Sequence, residues 1–115
     1  MIEARELRIG NYVKHFENGI VLTVGRTVAF KTPTNTIRVN VDDLDPIPLT
    51  EEWLLKFGFS KNENRNVFEN QVMLIYKQDG VFWFDLISDS VCIENVHQLQ
   101  NLYFALKGKE LTKAN

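Results

Sequence analysis

The chain holds one cysteine, Cys92, among its 115 residues. A single thiol excludes an intramolecular disulfide framework and any metal site built from several cysteines. Proline is nearly as scarce, and two of the three, Pro46 and Pro48, fall in one connector. The six glycines are dispersed along the chain, whereas a phosphate-cradling loop needs them clustered. No run of 18 apolar residues exists, so no transmembrane helix is expected. Neither sign of charge dominates: the formal net charge is -2, which gives the whole molecule no reason to attract nucleic acid or an acidic membrane. The opening Met1-Ile2-Glu3-Ala4-Arg5-Glu6 is charged and lacks the apolar core of a secretory signal, so a cytoplasmic location is expected.

What is present reads as a chain that buries a core. Hydrophobic residues make up 44% and charged residues 24%, and this length needs no covalent staple to fold. The first third alternates. Tyr12 to Phe16, Ile20 to Val24, Thr27 to Lys31 and Thr36 to Val41 are short runs rich in β-branched and aromatic residues, the pattern of half-buried antiparallel strands. Asn18-Gly19 between the first two tolerates the positive φ angles of a two-residue hairpin turn.

Asp42-Asp43-Leu44-Asp45-Pro46-Ile47-Pro48 interrupts this alternation and reads as a connector. A short helix follows, with Thr50 as N-cap, Glu51 and Glu52 in its first turn, and Leu49 and Leu54 spaced as a hydrophobic staple. Trp53, Leu54 and Phe57 form its inward face, and Gly58 ends it. Ser60 to Asn66 reads as a loop or irregular strand. Val72 to Gln78 and Val81 to Ile87 flank Asp79-Gly80, which predicts a hairpin pairing Gln78 with Val81 and Tyr76 with Trp83. A third strand is expected near Ser90 to Glu94. Val96, Leu99, Leu102, Tyr103 and Leu106 then make the apolar stripe of a second helix, capped by Asn95 and ended by Gly108. Lys109 to Asn115 reads as a frayed polar tail.

The fold these elements predict is α+β. An N-terminal SH3-like small β-barrel or curled antiparallel sheet (residues 1 to 47) precedes an α-β-β-β-α unit (48 to 115), the two sharing one core.

Three segments resemble a family. Glu6-Leu7-Arg8-Ile9-Gly10-Asn11, the stretch from Pro46 through Trp53-Leu54-Leu55-Lys56 to Phe59, and Val96-His97-Gln98-Leu99-Gln100-Asn101-Leu102-Tyr103-Phe104-Ala105-Leu106 are similar to a family of small hypothetical proteins of gut anaerobic bacteria and their phages. The family usually continues its last segment with Thr-Gly-Glu-Glu-Leu, where this chain has Lys107-Gly108-Lys109-Glu110-Leu111. The resemblance implies a bacterial or phage-associated origin and brings no activity, cofactor or catalytic residue.

The chemistry-bearing residues do not converge on an enzyme. His15 and His97 start no metal motif, and no cofactor motif is present. Cys92 and His97 are close in sequence, yet no cationic cluster stands near to activate the thiol, so a buried, inert cysteine and a packing or capping histidine are expected. Asp42, Asp43 and Asp45 lack the glycine and distal glutamate of a calcium loop. Charge is uneven along the chain: residues 1 to 41 carry six basic groups against three acidic, and residues 42 to 95 four against eleven. Weak nucleic-acid binding through Lys14, Arg26, Lys31 and Arg38 is the second functional expectation. The first is a non-catalytic protein-binding or adaptor module. The central hairpin carries it, because both of its faces are apolar, whereas a sheet meeting water on one side shows a polar face there. Either the N-terminal part covers the second face, or a patch of Leu74, Tyr76, Val81 and Trp83 stays open for a partner or a second copy.

Overall fold

The computed structural model describes residues 7–15, 19, 21–24, 29–31, 36–38, 44–62, 65–85, 89–111 and 113, with the backbone alone at 29–31 and 36–38. It is an α+β chain of two antiparallel sheets and two helices.

The first sheet holds β1 (Tyr12–His15), β2 (Val21–Val24), β3 (Ala29–Lys31), β4 (Thr36–Arg38) and β5 (Leu44–Asp45), in the order β4-β3-β2-β1-β5. Among the described residues β4 pairs only with β3 and β5 only with β1, so the sheet is open. Two sequence expectations change here. The connector holds a short strand at Leu44–Asp45, where Leu44 is fully buried and pairs with His15. The first hairpin also has a different register. A two-residue turn at Asn18-Gly19 would set Lys14 opposite Thr23, but Lys14 pairs with Val21. Gly19 takes φ +68 and donates its N–H to the His15 carbonyl, while Asn18 lies outside the described residues. The two registers differ by two residues, so both send Val13 inward; apolar alternation fixes the face and leaves this choice open.

The first helix, α1 (Glu51–Lys56), is capped as its sequence predicts: Thr50 Oγ1 accepts from the Trp53 N–H at 3.3 Å. At its other end the Gly58 and Phe59 N–H groups bond to the Leu55 and Leu54 carbonyls, with Gly58 at φ +89. This paired closure is the Schellman arrangement, and it buries Phe59 together with Leu54.

The second sheet is a five-stranded meander in the order β10-β9-β8-β7-β6, made of β6 (Ser60–Asn62), β7 (Val67–Glu69), β8 (Leu74–Gln78), β9 (Val81–Asp85) and β10 (Ser90–Ile93). Three strands were expected. Of the two readings of Ser60 to Asn66, loop or irregular strand, the strand forms at Ser60–Asn62 and pairs with Val67–Glu69, which was not foreseen; Phe68 of this further hairpin is completely buried. The Asp79-Gly80 turn forms as expected: Asp79 and Gly80 take φ +54 and +78, and Tyr76 pairs with Trp83.

The second helix, α2 (Val96–Lys107), starts with a capping box in which Asn95 and Gln98 each bond the other's backbone N–H. Gly108 at φ +73 closes it. Leu106, assigned to the inward stripe, is exposed, because the stripe meets the sheet only through its first two turns. The tail does not fray from Lys109 onward: Leu111 is buried and Glu110 is paired.

Two apolar clusters result. Val13, Leu22, Val24 and Leu44 form the smaller, inside the first sheet. The larger joins α1, α2 and the inner face of the second sheet around Leu54, Phe68, Ile75 and Leu99. Tyr12 and Val21 of the first sheet pack against the larger cluster. No helix among the described residues is long and apolar enough to cross a membrane.

Candidate functional site

Strand register assigns every side chain of the second sheet to a face, since directly paired residues project to the same side. Phe68, Ile75 and Phe84 form one row, and Phe82 with Ile93 another; all of these pack into the larger core. The opposite, outer face carries the row Val67, Tyr76, Trp83 and Cys92, one residue from each of four adjacent strands. Leu74 is paired with Glu69 on one flank, and Val81 with Gln78 on the other. Leu74 is 48% exposed, and Val67, Tyr76, Val81, Trp83 and Cys92 are half-buried. None of these six belongs to either core or to the residues packed against them. Tyr76, Trp83, Val81 and Leu74, singled out in the sequence, are therefore brought together on one face. Described residues of the first sheet approach the molecule elsewhere, where Tyr12 meets Trp53 and Phe57 of the first helix at 5.7 and 6.0 Å between ring centres.

The face has a fixed polar anchor. Tyr76 Oη donates to Asp85 Oδ1 at 2.9 Å, and Ser90 Oγ donates to the same oxygen at 2.6 Å. Tyr76 and Asp85 are diagonal neighbours across the hairpin, so this bond holds the phenol along the sheet surface. The sheet's lysines lie on the other side. Lys61 and Lys77 belong to the inner-face rows, reach Glu51 at 3.4 and 3.9 Å, and rest over the Phe68 and Phe82 rings. Their stems lie over these rings and shield this part of the inner face beside the first helix.

Other candidates separate. Lys14 is half-buried in β1 and stands directly across from Asp45. Lys31 and Arg38 lie on β3 and β4, and Arg26 lies outside the described residues. Cys92 is half-buried on the outer face rather than sealed in the core, because its strand is an edge of the sheet. His97 goes the other way and is buried at 1% exposure. Both line a cavity of about 300 Å³ between β10 and α2, with Val91, Ile93 and Leu102. A polar groove of about 510 Å³ runs beside Ser60, Glu69, Asn70 and Tyr103. Among the described residues no group of three His, Cys, Asp or Glu could hold a metal ion.

One constellation passed unnoticed in the sequence. Arg8 Nε donates to Asn101 Oδ1 at 2.7 Å, Nη2 donates to the Gln100 carbonyl at 3.1 Å, and Nη1 and Nη2 fork onto the two Glu110 oxygens, each at 3.1 Å. The guanidinium also lies 4.2 Å from the centre of the Phe104 ring. Gln100, fully buried, accepts from the Tyr12 N–H and donates to the Gly10 and Leu111 carbonyls. Asn11, also fully buried, donates to Asn101 Oδ1. All three Arg8 guanidinium nitrogens donate within the chain, so this is a clamp between the start of the first sheet and the second helix. No separation shorter than 88 residues joins the first-sheet and helix members, and no short motif could signal it.

The fold and its surface thus define an α+β protein of two antiparallel sheets with an apolar outer face on the second. Comparison with protein-family models, curated proteins and solved structures gives no match.

Proposed function

We propose that the chain is a non-catalytic protein-binding or adaptor module, of the bacterial or phage origin its three family-like segments imply, and that its partner seats on the outer face of the second sheet. The observation that carries this reading is the row Val67, Tyr76, Trp83 and Cys92, which lies outside both cores. Aromatic residues at the centre of a patch are the side chains that anchor protein interfaces, because they bury large area at little cost in conformational freedom. Native host extract passed over immobilised protein tests the reading, with Trp83→Glu as the comparison. A partner retained by the original chain and lost by the variant is expected, with circular dichroism unchanged because Trp83 supports neither core. Equal retention by both overturns it. Light scattering on the same pair identifies the case in which the partner is a second copy.

A further inference from the structure

We infer that the outer face is built for a basic partner segment, with an arginine stacking on the Trp83 and Tyr76 rings and reaching the Asp85 carboxylate. The inference rests on the binding reading above and adds the chemistry of the occupant. Charge on this sheet is sorted by face. The outer rows contain Glu69 and Asp85 and no lysine or arginine, while register sends Lys61 and Lys77 to the inner side, where they reach Glu51. Asp85 is exposed, and its orientation is set before any partner arrives, since Oδ1 is held by both Tyr76 and Ser90. That leaves Oδ2, among the described residues, for an incoming donor. A guanidinium suits the place: it is planar, it stacks on aromatic faces, and its N–H groups can at the same time reach a carboxylate oxygen. A second copy seated face to face would instead bring Asp85 and Glu69 against acidic groups of its own kind.

The test uses the full chain labelled with fluorotryptophan, whose two fluorine NMR lines report Trp83 and, as an internal control, the core residue Trp53. The probes are a short peptide alternating valine with arginine and the same peptide with glutamate in place of arginine. The arginine peptide should move the Trp83 line saturably, leave Trp53 still, and weaken as salt is raised. Asp85→Asn keeps the acceptor for Tyr76 and Ser90 but removes the charge, and should weaken binding about fivefold. Equal response to both peptides, unchanged affinity in Asp85→Asn, or no response to the arginine peptide at about millimolar concentration overturns the inference. The two levels separate. If Trp83→Glu abolishes partner retention while the peptides act alike, the face stands and its preference for cations falls. If Trp83→Glu changes nothing, the face itself falls.

Discussion

Arg8 shows what one side chain can do when its geometry is used in full. Its planar fork meets a carboxylate, an amide oxygen and a backbone carbonyl at once, and its flat face covers Phe104. A lysine carries the same charge on a single point and cannot satisfy these acceptors together. Arg8→Lys should therefore cost nearly as much stability as Arg8→Ala, about 2 kcal/mol in each case, read from urea unfolding midpoints. A simple surface ion pair would leave Arg8→Lys close to the original chain and cost Arg8→Ala no more than about 1 kcal/mol. Gly10 belongs to the same clamp. Its φ is +99, and a β-carbon there would stand 3.1 Å from the Glu110 side chain, so the position resists any larger residue on two counts. In the sequence Arg8 and Gly10 were visible only as part of a familiar segment. Their partners lie across the whole length of the chain, beyond the reach of periodicity or spacing.

At the scale of elements, legibility followed how local the determinant is. Thr50 with Leu49 and Leu54, Asn95 ahead of its apolar stripe, and Asp79-Gly80 each carry a signal within a few residues, and each element formed where that signal stood. The strand Val67–Glu69 is three residues long and too short to display alternation, so it was missed, and with it Val67 of the candidate face. The tail misled for another reason. Lys109, Glu110 and Lys113 make it polar on average, but Leu111 is its apolar anchor, at 4% exposure in the larger core. Leu111→Ala should destabilise the fold by about 2 to 3 kcal/mol, the cost of a buried leucine, as thermal or urea unfolding would show. A frayed tail would lose nothing measurable. The same anchoring places the Lys113 ammonium 5.0 Å from the ring centres of both Tyr12 and Trp53.

The whole molecule turns its asymmetry of charge into an asymmetry of surfaces. The basic surplus of the first 41 residues is small, and Lys14, the one candidate whose surroundings are described, faces Asp45 across the strand pair. Single-stranded and duplex oligonucleotides should accordingly bind no tighter than about 10⁻⁴ M at physiological salt, the weak end of non-specific affinity. Fluorescence anisotropy checks this, and a salt-dependent micromolar curve would reverse the ranking of functions. The acidic middle of the chain supplies Glu69 and Asp85 to the outer sheet face and Glu51 to the inner one. This division was illegible in the sequence, where the same residues appear as one undifferentiated acidic stretch; only register tells which side each carboxylate takes.

The clamp between Arg8 and Glu110 also sets a timetable. A ribosome releases the residues of the first sheet early, at roughly 5–20 residues per second overall. The groups that hold this sheet in place, among them Gln100, Asn101 and Glu110, follow 88 to 102 residues later. Until they appear, the buried Asn11 amide and the Tyr12 N–H lack their partners, and the emerging chain must carry its first sheet half-finished. A chain cut before Glu110 would thus carry both sheets yet lack the carboxylate that ties Arg8 to the segment after the second helix.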